Sequence, residues 1–243
     1  MSKNPGNGPA LQEEIERIRA AYDRRRSIPP QRYARTDPFT LYSSHEREQE
    51  FATLLRGEGL TSLAGLRVLD VGSGRGDMLR ELLEYGADPE LLAGIDLLPE
   101  KLDVARYRAP HLPVVCGSAD RLPFRDQSFD LVIQFTLFTS ILSAELKRAV
   151  AAEMVRVLAP QGRILWYDFS YNNPKNPDVR GIGKREIKEL FPGFAMKAKR
   201  ITLAPPLGRV VAPASVALYY LLSRMRPLCT HYLCLLQRDN EAV

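Results

Sequence analysis

Residues 68 to 77 read VLDVGSGRGD, an apolar run that opens into glycine, serine and charge. Glycine lets the backbone take otherwise strained dihedrals and lets a ligand lie directly against it. Gly72, Gly74 and Gly76 therefore mark a bare turn. A helix following that turn would aim its unsatisfied N–H groups and positive dipole end at whatever the turn holds. A dinucleotide calls for GxGxxG, with pyrophosphate on those N–H groups. Counted from Gly72, the third glycine position is Asp77. With Asp70 just upstream, two carboxylates flank the turn, which disfavours a diphosphate and suits an ammonium or sulfonium group.

Two further stretches bear on the same ligand. GIDLLPEKLDVAR puts Asp96 about twenty residues beyond the loop at the end of an apolar run, where an acid can accept both hydroxyls of a ribose. Leu97 beside it offers an apolar face to a purine. GSADRLPFRDQSFDLV then joins the third apolar run to the fourth.

The elements that position these residues alternate along the chain. Short apolar runs at LRVLDV, LLAGID, LPVVCG, FDLVIQF, GRILWYDF, AMKAKRITL and THYLCLLQ predict strands. Helices are expected near 76–85, 99–108, 143–158, 184–191 and 209–224. Continuous apolar strands separated by helices imply a mostly parallel sheet buried on both faces, an open doubly wound α/β fold. In such a sheet the first strand–helix turn meets the ligand at the carboxyl ends of the strands. Before this unit, 11–26 reads as an amphipathic helix, a proline-rich break follows, and a second helix is expected over 43–57. The organisation expected is an N-terminal helical lid or extension over 1–62 and an α/β domain over 63–243.

The chain has 243 residues, 45% hydrophobic and 26% charged, which suits one globular core. No apolar run reaches the ~18 residues of a membrane span, and the start lacks a secretory h-region. The odd number of cysteines, Cys116, Cys229 and Cys234, reads as reduced thiols in a cytoplasmic protein. Cys229, His231 and Cys234 match no common zinc spacing, and no metal is expected. The net charge of +5 selects no partner. GRVVAPASVALYYLLSRMRP is unusually apolar for a helix and reads first as sheet-packing, with a membrane surface or greasy substrate as the other reading.

Taken together, VLDVGSGRGD, GIDLLPEKL, GSADRLPFRDQSFDLVIQ and EMVRVLAPQGRILWYDF resemble the class I S-adenosylmethionine-dependent methyltransferases, in particular the type 11 small-molecule branch. The likeness spans about 65 to 170. It implies a Rossmann-like sheet of seven strands with the last antiparallel, and S-adenosyl-L-methionine as cofactor. Asp70, Gly72, Ser73 and Gly74 would line its methionine part, Asp96 the ribose, and Leu97 the adenine. In relatives the loop after the third strand commonly reads GDAxxLPF, with its Asp on the adenine amino group; here Ser118 takes that place, followed by Ala119 and Asp120. Gln134, ending the fourth strand, would lie near the methionine end.

The sulfonium carries its own leaving group, so the protein must mainly align the acceptor and exclude water, with a general base useful for a hydroxyl acceptor. Asp168 near the end of the fifth strand is one candidate base. His45 is the other, in the N-terminal segment that in similar enzymes folds over the cofactor together with Tyr33 and Tyr42. Asn172, Asn173 and Arg180 in the polar loop SYNNPKNPDVRGIG could read the substrate. The expected activity is methyl transfer to a small molecule, foremost a hydroxyl oxygen of a sugar or secondary metabolite. A nucleic-acid methyltransferase is the rival enzyme, and QFTLF stands where amino-methylating DNA enzymes carry their Asn/Asp-Pro-Pro-aromatic motif. A cofactor-binding, non-catalytic partner protein is the rival of another class.

Overall fold

A computed structural model describes residues 9–25, 29, 34–174 and 176–239. Seven strands form one sheet: β1 (Val68–Val71), β2 (Leu92–Asp96), β3 (Val114–Cys116), β4 (Phe129–Phe135), β5 (Leu158–Phe169), β6 (Phe194–Leu203) and β7 (Cys229–Arg238). Their spatial order is β3-β2-β1-β4-β5-β7-β6. β1 to β5 pair in parallel, while β7 runs antiparallel to both β5 and β6. This is the doubly wound, mostly parallel sheet expected from the apolar runs, and THYLCLLQ lies in the antiparallel seventh strand.

The helices are α1 (Pro9–Arg25), α2 (Pro38–Gly57), α3 (Asp77–Glu84), α4 (Pro99–Arg108), α5 (Ala144–Val157), α6 (Lys184–Leu190), α7 (Pro205–Ala214) and α8 (Val216–Ser223). Because strand side chains alternate between faces, each strand feeds two cores. Leu69, Val71, Val132, Ile164 and Trp166 meet α1, α5 and α6 on one face. Val68, Leu131, Ile133, Leu165 and Tyr167 meet α2 and α3 on the other. α1 and α2 therefore lie on opposite faces of the sheet. A third, smaller core joins Phe39 of α2 to Leu203, Val211 and Tyr219.

Three elements differ most from the expected bounds. α2 begins at Pro38, because Asp37 caps it, accepting from the Thr40 amide at 2.9 Å, and proline suits the first helical position. β5 starts at Leu158 rather than Gly162, since Leu158 already pairs with Phe129 ahead of a register shift. The expected 209–224 helix is two helices. Pro213 lies inside the end of α7, and Ser215 turns extended and caps α8 by accepting from the Leu218 amide at 3.2 Å. Among the described residues, no helix is long and apolar enough to cross a membrane.

Candidate functional site

The loop after β1 is folded over the end of β2: the Gly72 and Ser73 amides both donate to the Ile95 carbonyl, at 2.8 and 2.9 Å. Gly72 holds φ 81°, and a Cβ there would stand 3.1 Å from the Leu137 side chain. The turn thus needs glycine for its dihedral and for the close approach of the β4–α5 loop. Gly76, also left-handed, caps α3 against Ala105 of α4. Gly94 of β2, unremarked in the sequence, leaves the space that Ser73 fills, since a Cβ would meet Ser73 Oγ at 2.8 Å.

Three buried polar atoms around this loop have no hydrogen-bond partner among the described residues: Asp70 Oδ1, Ser73 Oγ and Gln134 Nε2. Burying such groups unpaired costs free energy, so their concentration at one turn marks a place built for a polar ligand. Burial, reinforced by the charges of Asp96 and Asp77, pushes the Asp70 carboxyl up to about 8. Gln134 neighbours Val71 across the β1–β4 ladder, and its Oε1 accepts from the Leu137 amide at 3.1 Å. Its amide nitrogen therefore has a fixed orientation.

Asp96 is buried, and its two oxygens take backbone amides: Oδ2 from Gly74 at 2.8 Å and Oδ1 from Leu98 at 2.9 Å. Carboxylate oxygens accept more than one bond each, so both can still take a hydroxyl. Half-buried Leu97 packs onto the α1–α5 side of the core. Ser118 donates to the Asp120 carboxylate, with Ala119 half-buried between them. The structure brings Asp70, Gly72, Ser73, Gly74, Asp96 and Gln134 to one end of β1, β2 and β4.

α1 covers this end. The Tyr22 hydroxyl and Ser140 Oγ share a hydrogen bond at 3.3 Å, and the Lys101 ammonium sits 3.5 Å above the Tyr22 ring. Lys101 in turn reaches within 3.9 Å of where a Gly74 Cβ would be. Arg17 donates to the Ser140 carbonyl at 2.6 Å, and Glu14 accepts the Leu142 and Ser143 amides at 2.5 and 3.0 Å, at the entrance of α5. The amphipathic pattern of 11–26 does not single out Tyr22, Glu14 or Arg17, and the sequence around Lys101 does not single out that residue either.

Asp168 is fully buried, and its oxygens are engaged. Thr139 donates to it through its hydroxyl at 2.6 Å and its amide at 3.2 Å, and the Phe169 amide donates at 2.9 Å. Burial pushes its carboxyl up to about 6, against the pull of those bonds. In this arrangement Asp168 holds the β4–α5 loop. His45 is exposed on α2, while Tyr42 packs on Tyr219 and Tyr220 at 5.6 and 5.9 Å. Tyr33 lies outside the described residues. In the polar loop, Asn172 accepts the Gly181 amide at 2.9 Å and Arg180 pairs with Glu186.

Beside Asp168 lies an aromatic group that sequence reading did not assemble. Tyr167 stacks on His231 at 4.8 Å, Phe135 lies 5.3 Å from Tyr167, and the Arg47 guanidinium is within 5.9 Å of both Phe135 and Tyr167. Burial, then the Arg47 charge, pushes the His231 ring down to about 3, so it is neutral. Cys229 donates to the Ser223 carbonyl at 3.0 Å, while Cys234 packs in the core on the α1–α5 face. Among the described residues, no group of three His, Cys, Asp or Glu side chains could hold a metal ion.

A family profile described as a methyltransferase domain matches residues 68–162. The demethylmenaquinone methyltransferase of Renibacterium salmoninarum is 31% identical over 141 residues, covering 58% of this chain and 56% of that protein. A ubiquinone/menaquinone biosynthesis C-methyltransferase of Bartonella bacilliformis is 29% identical over 185 residues, covering 73% of this chain and 64% of that protein. The chain thus spans less than two thirds of the length of these relatives. A solved S-adenosylmethionine-dependent methyltransferase from Mesorhizobium loti shares the fold, with a TM-score of 0.56 and 21% identity over 76% of this chain and 96% of that one. The strand order and the carboxylate-flanked glycine turn thus stand beside a match to a methyltransferase-domain family over residues 68–162 and a sheet shared with a solved S-adenosylmethionine-dependent methyltransferase.

Proposed function

We propose that the chain transfers the methyl group of S-adenosylmethionine to a small hydroxyaromatic acceptor of apolar, quinol-like character, on oxygen or ring carbon. The observation that carries the cofactor reading is the set of buried polar atoms of Asp70, Ser73 and Gln134 around the glycine turn. An ammonium or sulfonium beside Asp70 would favour its ionised form, and the hydroxyl and amide are suited to a carboxylate or amine. When bound, S-adenosylmethionine supplies an activated methyl group whose leaving group is a neutral thioether.

The chain's own residues then bind and orient. Asp96 would accept the ribose hydroxyls while keeping Gly74 in place. Leu97 and the Ser118–Asp120 pair would face the adenine. α1, through Tyr22, would close the site against water and act as the lid. Alignment and water exclusion carry most of such a reaction.

Two considerations favour a hydroxyaromatic acceptor over a sugar. The named relatives act in quinone biosynthesis. Secondly, Asp168 has its oxygens engaged by Thr139 and Phe169, and a phenolic hydroxyl ionises near pH ~10, far more readily than an alcohol. It therefore asks less of a base. The test is transfer from methyl-labelled S-adenosylmethionine to a reduced naphthoquinone, a sugar, and RNA or DNA offered separately. Label in the quinol alone is expected. Label in nucleic acid, or none in any acceptor despite tight cofactor binding, would overturn the reading in favour of a nucleic-acid enzyme or a non-catalytic binder.

A further inference from the structure

β6 and β7 are adjacent antiparallel strands that could be closed by a short turn, yet the chain makes the α7–α8 excursion between Leu203 and Cys229. Only one side of this hairpin is used by the protein. Val211, Ala212 and Tyr219 face inward to Phe39 and Leu203. Tyr219 also donates to the buried Glu46 carboxylate at 3.3 Å, which fixes α8 to α2. The outer side is apolar as well. Leu218 and Leu221 stand one turn apart on α8 and are 42 and 62% exposed, Met225 just beyond its end is 51% exposed, and Val210 of α7 is 73% exposed. A surface helix normally turns its charged face to water. α8 has no charged residue at all, and contiguous apolar exposure of this kind marks an interaction surface.

Charge tells which surface it meets. Of the seven Lys or Arg residues between Glu189 and Asp239, Lys197, Lys199 and Arg209 pair with Glu58, Glu50 and Asp37, while Arg224 and Arg226 stand exposed. Exposed Arg224 and Arg226 flank Met225 at the outer end of α8. Apolar side chains bordered by guanidinium groups fit the boundary of an anionic bilayer, where the first enter the acyl region and the second meet phosphates.

The hairpin's location adds a purpose. Leu203 pairs with Cys229 beside the register pair Phe169 and His231, so the excursion leaves the sheet at the carboxyl end of β5. That is the end at which the glycine loop lies.

We propose that the outer face of α7 and α8 docks on anionic lipid membranes and holds the carboxyl end of the sheet toward the bilayer surface. Docking stands apart from the methyl-transfer reading; only delivery of an apolar acceptor from the bilayer rests on it.

The experiment is flotation of the full chain with phosphatidylcholine vesicles, with and without phosphatidylglycerol. Flotation with the anionic vesicles, weakened by salt, is expected. Combining Leu218→Gln with Leu221→Gln should reduce vesicle affinity by about tenfold or more, and combining Arg224→Glu with Arg226→Glu should abolish the preference for anionic lipid. Both variants should bind S-adenosylhomocysteine as the unmodified chain does, which establishes that they fold. No flotation, equal flotation with neutral vesicles, or a dimer in light scattering that the leucine variant dissociates would overturn the proposal. Flotation without methyl transfer to a quinol would instead leave the docking intact and remove the acceptor reading.

Discussion

Asp96 Oδ2 accepts the Gly74 amide at 2.8 Å, so the carboxylate proposed to bind a ribose also fastens the glycine turn of the neighbouring strand. One substitution must therefore touch both functions. Asp96→Ala should weaken binding of S-adenosylhomocysteine by roughly 1–3 kcal/mol through lost charged hydrogen bonds, measured by calorimetry. Asp96→Asn keeps an oxygen for one backbone amide and should lose less. Unchanged affinity in both would remove Asp96 from the site.

Asp70 predicts a pH dependence. An unfolded chain releases this proton near the ordinary 3.8, and the folded chain releases it near 8. Between those values the folded state holds the extra proton, so stability falls as pH rises across the interval and the full loss is reached above 8. Glu46, pushed up to about 7 by burial, acts in the same direction. A cationic ligand favours the ionised carboxyl, so affinity for S-adenosylmethionine should rise with pH toward 8. Urea midpoints and calorimetry across this range should show both slopes, and Asp70→Asn should flatten each. Slopes unchanged in Asp70→Asn would assign the dependence to another group.

The glycine turn and the acid at the end of β2 were legible because their residue types answer to a local demand. A turn with positive φ against Leu137 needs Gly72, and an acid at the end of β2 falls at a spacing the topology dictates. The seven strands were legible for a similar reason, since burial on both faces writes continuous apolar runs. What covers the site was not. Glu14 and Ser143 are distant in sequence, and a glutamate on a charged amphipathic helix carries no sign that it will accept amides at the start of α5. Asp168 shows the same limit: its position at a strand end was legible, while its partner Thr139 comes from a different loop. Such pairings arise from tertiary packing and leave no periodic trace.

Asp168 and Thr139 can be separated by experiment. Asp168→Asn puts an amide where three donors converge, and Thr139→Val removes the shortest of those bonds. Each should lower unfolding free energy by roughly 1–3 kcal/mol and slow turnover to a similar degree, because each loosens the same loop. Denaturation midpoints and kcat for both variants would check this. Loss of turnover in Asp168→Asn alone, with Thr139→Val active, would instead make the carboxyl a base.

Glu14 provides the test of α1 as the cover. Its carboxylate takes the Leu142 and Ser143 amides and the Arg17 guanidinium, the last at 2.7 Å. Burial alone would raise its pKa, but the Arg17 and backbone bonds outweigh this and hold it below the ordinary 4.5. Such a carboxyl contributes stability above its unfolded value and loses it as pH falls through the folded one. Glu14→Gln should therefore detach α1 more readily, speeding release of S-adenosylhomocysteine by about tenfold in stopped-flow measurements and raising hydrogen exchange over 9–25. Acidifying the unmodified chain below the ordinary range of Glu14 should act in the same direction. Arg24→Ala removes the exposed pair with Asp178, worth at most about 1 kcal/mol, and should change release little. Release from Glu14→Gln at the unmodified rate would mean that the ligand is retained by the glycine turn and its acids without help from α1.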